Sequence, residues 1–292
     1  MTTVTRALVR SWLPRRQPVT HKGDYGRVLI IAGSIRMSGA AVLAAQAALR
    51  TGSGLVYLAV PKSVQPLVVR KLTEVITIPV RETSAQTIAS SALRELAAWL
   101  PRADAVAIGP GLTTHPQTAA IVEHLLRIVR VPTVVDADAL NACAGHVRRF
   151  ARCKAPLVLT PHAGEMSRLT GMSAATLQRD RQGVATRSAQ AWHAVVVLKG
   201  HRTVIATPRG RAFVNPTGNA GMATAGTGDV LTGMIVSLLG QGLAPERAAA
   251  AAAYLHGFAG DLVARRQGRV GLIASDLLAT IPQAIRRVQR FG

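Results

Sequence analysis

Asn215-Pro-Thr-Gly-Asn-Ala-Gly-Met-Ala-Thr-Ala-Gly-Thr-Gly-Asp229 sets Gly218, Gly221, Gly226 and Gly228 in a loop that runs straight into an apolar segment, Asp229–Leu239. A glycine-rich loop opening a helix exposes backbone N–H groups at the positive end of the helix dipole, an arrangement suited to a phosphate. Asp229 falls in the first turn, within reach of a hydroxyl brought to that phosphate, as a general base requires. A bare Gly-x-Gly-Asp fits a tight turn and an N-cap equally well. Four glycines with Thr224 and Thr227 interleaved favour phosphate handling.

Outward from the loop, the chain alternates short β-branched runs with helical stretches. The runs are Val28–Ile31, Leu55–Val60, Val75–Val80, Ala105–Ile108, Thr133–Val135, Leu157–Leu159 and Val195–Leu198. Most are continuously apolar, as strands covered on both faces are. Helical patterns lie between them at Ala40–Arg50, Ala85–Leu100, Pro116–Val129 and Ala174–Ala191. That alternation predicts a mostly parallel sheet with helices on both sides. Thr203–Ala206 and Ala212–Val214, separated by Pro208-Arg209-Gly210, read as a late β-hairpin. Downstream, Pro245–Arg266 and Ser275–Arg290 read as helices, and the alanine run Ala248–Ala253 marks close helix packing.

The 292 residues, 49% of them apolar, suit one large α/β domain and exclude a mostly disordered chain. Residues 21–292 read as that single domain, and residues 1–20, with Arg6, Arg10, Arg15 and Arg16, as a loosely ordered lead-in without a secretory signal pattern. No apolar run is long enough for a membrane span. Cys143 and Cys153 are too few for a disulfide framework, so a cytoplasmic setting is expected. Thirty-five Lys and Arg against 14 Asp and Glu give a net charge of +21, which draws polyanions. The arginines (Arg70, Arg81, Arg94, Arg127, Arg148, Arg187, Arg209 and Arg286 among them) are scattered along the chain. Scatter favours compositional bias over a nucleic-acid footprint, and so do the ten aromatic residues and the absence of a recognition module. Gly33 opens no G-x-G-x-x-G run, which disfavours a nicotinamide dehydrogenase.

Several strand ends carry candidate ligand groups. Gly109-Pro110-Gly111 follows Ala105–Ile108, at the edge where open α/β sheets bind ligands; an ordinary turn explains it as well. Asp136 and Asp138 follow Thr133–Val135. Asp136 is expected to hold Mg²⁺ through water, and Asp138 to cap the next helix. Thr160-Pro161-His162 ends Leu157–Leu159, with Glu165 placed to stabilise the next helix N-terminus. Lys199-Gly200 closes Val195–Leu198, the lysine offering a point charge to phosphate and the glycine a close backbone approach; a plain strand end is the alternative.

Asn219–Asp229 resembles the signature of the NAD(P)H-hydrate dehydratase family, within the ribokinase-like superfamily. Further segments follow in the family's order: His21–Ser34, Ser38–Ala41, Leu49–Val56, Gly109–Gly111, Val134–Leu140, Leu159–Met166 and Val197–Gly200. Thr113 stands where the family usually has the last glycine of Gly-Leu-Gly. The resemblance implies a ribokinase-like three-layer α/β/α sandwich that dehydrates the S-epimer of hydrated NADH and NADPH. ADP or ATP with Mg²⁺ would serve it, and its partners would be the hydrate, the adenine nucleotide and an epimerase encoded elsewhere. It also implies a stand-alone dehydratase assembled as a homo-oligomer, a tetramer by family likeness. By the same likeness Asp229 is the catalytic base, and Gly39, Ala40, Gly111, His162 and Asp229 meet the hydrate. Lys199, Gly200, His201, Arg202, Thr203, Gly226, Thr227 and Gly228 would meet the nucleotide. A small-molecule kinase of the hydroxyethylthiazole or hydroxymethylpyrimidine type is the alternative.

Overall fold

The computed structural model describes residues 1–290. Among these residues ten strands form one sheet: β1 (Thr2–Thr3), β2 (Arg27–Ile31), β3 (Leu55–Pro61), β4 (Ile76–Val80), β5 (Ala105–Ile108), β6 (Thr133–Val135), β7 (Leu157–Leu159), β8 (Val195–Leu198), β9 (Val204–Ala206) and β10 (Ala212–Val214). Their order is β1-β10-β9-β8-β7-β6-β5-β2-β3-β4. From β4 through β8 every pairing is parallel; only the hairpin strand β9 runs antiparallel to both neighbours.

The side-chain period of two explains why the strands read as unbroken apolar runs. Val28 and Ile30 point into one core, with the helices Ser38–Thr51, Thr227–Gly240, Pro245–Gln267 and Ala274–Gln289. Leu29 and Ile31 point into the other, with Leu93–Trp99, Pro116–Ile128 and Arg181–Trp192. Both faces are covered, which is the three-layer α/β/α arrangement expected. In Pro245–Gln267 all six alanines of Ala248–Ala253 are buried, and their small side chains let the helix pack on its neighbours Thr227–Gly240 and Ala274–Gln289. Among the described residues no helix is long and apolar enough to cross a membrane.

Three local expectations change. The lead-in is not loose: Thr2 and Thr3 pair in parallel with Phe213 and Val214, and Thr5 caps the helix Arg6–Trp12. Val4, Val9 and Leu13 are buried in the main core, which explains the order. Ala85–Leu100 is helical only from Ser90, a 3₁₀ turn leading into the α-helix at Leu93; before it a bridge joins Glu82 to Ile88, and Thr87, Thr83 and Thr118 are linked by their hydroxyls. Ala174–Ala191 breaks at Asp180, whose carboxylate accepts from the Gly183 N–H and starts a second helix.

Candidate active site

Strand order reverses between β2 and β5, so the chain leaves these neighbouring strands in opposite directions and opens a crevice at their carboxyl ends. The Gly33 N–H donates to the Pro110 carbonyl across that gap, 2.8 Å. Gly39 and Ala40 follow in the first turn of Ser38–Thr51. A Cβ on Gly111 would lie 3.0 Å from the Ala40 Cβ, so these two are in contact, while Gly39 faces open space. One turn on, Leu43 packs against the glycine-rich loop: a Cβ on Gly226 would stand 2.5 Å from its Cδ1. Gly226, at φ +88°, is therefore a position where any L side chain would be strained.

The helix begins at Thr227, two residues before the expected start, so Gly228 is already helical and carries no left-handed φ. The conformational demand of the loop rests on Gly218, at φ +102°, and Gly226 instead. Thr227 Oγ1 points back at the Met222 and Thr224 carbonyls (3.2 and 3.1 Å), and the Thr227 carbonyl receives His256 Nε2 at 2.9 Å. The helix Pro245–Gln267 pins the rest of the loop. Asp261 accepts from the Gly218 N–H and the Asn219 amide, both 3.0 Å, and Thr217 donates to the Tyr254 carbonyl, 2.8 Å.

These elements enclose a cavity of about 540 Å³, within the size range of ligand pockets. Lys199, Gly200, His201, Arg202, Thr203, Thr227 and Gly228, which the family resemblance assigns to the nucleotide, all line it. Gly226, Gly39, Ala40, Gly111, His162 and Asp229 are not in its lining. Sequence reasoning missed His256, Asn215, Thr217 and Gly257, which also line it. Asn215 and Thr217 stand inside the quoted loop and were legible as polar groups; nothing marks His256 in a helix of alanines. Burial pushes the His256 imidazole down to about 4 despite its bond to the Thr227 carbonyl, so it is neutral, with Nε2–H donating.

Beside the cavity lies a buried charge network. Lys199 Nζ is 2.8 Å from Asp136 Oδ1 and 3.6 Å from Glu165 Oε2, and Thr232 Oγ1 donates to Asp136 Oδ2 at 2.7 Å. Burial opposes ionisation of Asp136, but the Lys199 charge and the bonds from Lys199 and Thr232 hold its carboxyl below the usual range. Burial likewise opposes the Lys199 charge, and Asp136 and Glu165 raise its affinity for the proton overall. The ammonium thus faces two carboxylates. Asp136, expected to hold Mg²⁺ through water, accepts one bond at each oxygen, from Lys199 and from Thr232. Among the described residues no group of three His, Cys, Asp or Glu could hold a metal.

Asp229 sits half-buried in the first helical turn. Burial first, then the Asp136 charge, push its carboxyl up to about 7, with Lys199 pulling the other way. That value suits a group that must take a proton near neutral pH.

Asp138, Glu165 and His162 also make local bonds that fix the strand ends. Asp138, expected to cap the helix Asp138–Asn141, is its first residue, with Ala137 in the cap position. Its carboxylate accepts from the Thr113 N–H at 2.8 Å and holds Thr113 at φ +69°, the conformation a glycine would adopt freely. Gln86, Thr113, Ala137 and Arg202, all with positive φ, lie on loops following β4, β5, β6 and β8. Strain of this kind concentrates at ligand edges. His162 and Glu165 form a reciprocal cap: His162 Nδ1 accepts from the Gly164 and Glu165 N–H groups, and Glu165 Oε2 accepts from the His162 N–H at 2.8 Å. The His162 ring remains 53% exposed.

Comparison with known proteins places this geometry. A profile described as NAD(P)H-hydrate dehydratase matches residues 28–283. The chain is 52% identical over 286 residues to the bifunctional NAD(P)H-hydrate repair enzyme Nnr of Moorella thermoacetica, covering 98% of this chain and 54% of that protein. It spans about half the length of such bifunctional relatives. The ADP-dependent (S)-NAD(P)H-hydrate dehydratase of Bacillus subtilis is 38% identical over 98% of both chains. A crystal structure of the Bacillus subtilis ADP/ATP-dependent NAD(P)H-hydrate dehydratase, co-crystallised with ATP/Mg²⁺, superposes with a TM-score of 0.87 at 36% identity over 98% of both chains. Arabidopsis thaliana ribokinase, at a TM-score of 0.56 and 14% identity, shares the fold.

Proposed function

Because the chain belongs to the NAD(P)H-hydrate dehydratase family, we propose that it repairs the S-epimer of hydrated NADH and NADPH, with ADP as the phosphoryl donor. Asp229 carries the reading: a half-buried carboxyl pushed up to about 7, in the first turn of a helix whose N-terminus borders the 540 Å³ cavity.

Hydroxide is a poor leaving group at neutral pH, so the C6 hydroxyl of the hydrate has to be activated. The Asp229 carboxylate takes its proton as the oxygen attacks the terminal phosphoryl group, and the bond to AMP breaks. N–H groups of Gly226, Thr227 and Gly228 meet the negative charge as it develops. The ring nitrogen then expels phosphate from C6, and loss of a proton from C5 restores the double bond. The products are the dihydronicotinamide cofactor, AMP and phosphate. Gly39, Ala40, Gly111 and His162 shape the hydrate's side of the crevice, and Lys199–Thr203 the nucleotide's side.

The protein offers no ligand cage of its own for Mg²⁺ among the described residues, so the ion arrives on the nucleotide's phosphate oxygens, as Mg²⁺ commonly does. A dehydratase of the S-epimer alone needs an epimerase as functional partner. A cytoplasmic setting and a homotetramer complete the proposal.

The decisive experiment incubates the protein with purified hydrate and ADP, ATP or no nucleotide, following dihydronicotinamide absorbance. Recovery that needs a nucleotide, fastest with ADP, supports the reading. No recovery under any condition overturns it.

A further inference from the structure

We infer that the chain carries a second anion site, at the edge of the sheet opposite Asp229, built to hold a diphosphate group. The inference is independent of the proposed dehydration. The helix Pro116–Ile128 returns from the carboxyl end of β5 toward the start of β6, so its second half lies at the amino edge of the sheet. The short helix Arg148–Arg152 precedes β7 at that same edge. Between them is a cavity of about 650 Å³, whose charged and titratable lining is Glu123, Arg127, His146, Arg148, Arg149 and Arg152.

Four guanidinium groups thus line one cavity with a single carboxylate. Glu123 is already taken: Arg127 bonds one of its oxygens and Arg149 the other, at 2.9 Å. Arg148 and Arg152 stand one helical turn apart, and among the described residues neither has an ion-pair or hydrogen-bond partner. Like charges at that spacing repel. Basic residues near helix C-termini are often explained by the helix dipole, and Arg127, Arg149 and Arg152 lie in last turns. Arg148 opens its helix, where the dipole disfavours a cation, so the dipole does not explain it.

A bound polyanion explains the two that Glu123 leaves unpaired, Arg148 and Arg152. The guanidinium fork matches phosphate oxygens in pairs. Side chains one turn apart leave Cβ atoms about 5–6 Å from each other, a spacing that serves two adjacent phosphoryl groups. The ligand class is therefore a diphosphate, free or as part of a nucleotide.

Calorimetry on the full chain tests this with inorganic pyrophosphate in one arm and ADP in the other, for the wild type and for R148A/R152A. Neither arginine belongs to the proposed catalytic site, so the ADP-dependent rate on hydrate is the control and stays unchanged. Pyrophosphate is expected to bind the wild type, and the double substitution to weaken that binding by about tenfold or more. Two ADP per wild-type chain and one per variant chain identify the nucleotide as the source. One ADP in both, with pyrophosphate binding lost in the variant, identifies the free anion. Pyrophosphate binding that persists undiminished in R148A/R152A, or no binding to the wild type, overturns the proposal. R152Q, with circular dichroism and melting measured alongside, replaces the double variant if that one fails to fold.

Discussion

Lys199 and Asp136 meet as a buried ion pair, Nζ to Oδ1 2.8 Å, across the end of the strand that separates theirs in the sheet. The pair directs the Lys199 ammonium toward Asp136 and Glu165. A Cβ built on Gly228 would lie 3.5 Å from that ammonium, so the pair borders the first turn of the helix that carries Asp229. Its two members act on Asp229 in opposite senses, Asp136 raising its proton affinity and Lys199 lowering it.

Replacing the base comes first. D229N is expected to retain ADP affinity and lose about 10²–10⁴-fold in dehydration rate, the usual contribution of a general base. In the wild type, kcat/KM rises with pH through about 7 as the carboxyl ionises. Single-turnover rates and ADP calorimetry check both statements; a D229N rate near that of wild type would leave Asp229 as a structural residue.

The same group costs stability when ionised. A carboxyl whose folded pKa is raised contributes stability that is complete below the unfolded value, about 3.9, and that is lost as pH rises to about 7. D229N should therefore melt above the wild type at pH 8, with the gap shrinking toward pH 5. Thermal melts across that range measure it, and a gap independent of pH would count against the shift.

D136N removes the anion that raises Asp229 and leaves Lys199 with Glu165 alone. The midpoint of the kcat/KM profile should move below that of the wild type. Denaturant unfolding should show a loss of about 3–5 kcal/mol, the cost of breaking a buried ion pair from one side. An unmoved midpoint would mean that the Asp136 field does not reach Asp229.

Two glycines of the loop should respond differently. G226A forces an L-residue to φ +88° and drives its Cβ into Leu43, so a loss of about 1–3 kcal/mol is expected. G228A meets only the Lys199 ammonium, at an ordinary 3.5 Å, and should melt close to the wild type while altering nucleotide affinity. Calorimetry of the free and ADP-loaded variants distinguishes the two effects.

Salt should act on encounter more than on chemistry. The Debye length falls from roughly 10 Å at 0.1 M to about 3 Å at 1 M salt. With a net charge of +21, kcat/KM for the hydrates is expected to fall over that range while kcat changes little. Hydrated NADPH, with one more phosphate, should lose more than hydrated NADH. Steady-state kinetics in NaCl provide the check.

The sequence by itself determined the β2–β8 core of the sheet, the hairpin, the phosphate-type loop and Asp229, because these rest on local signals: runs of β-branched residues, glycine spacing and an acid in a first helical turn. Burial of Val4, Val9 and Leu13 depended on a pairing between Thr2–Thr3 and β10, some two hundred residues away, which no local pattern announces. The same holds for His256, which reaches the loop because an alanine-rich helix packs closely, and for the direction of the Lys199 ammonium. Arg127 and Arg148 read as scattered charges along the chain. Only the packing of two helices at the amino edge brought them, with Arg149 and Arg152, around one cavity. Periodicity fixes which face of an element is apolar, whereas convergence of polar groups depends on contacts between elements far apart in the chain.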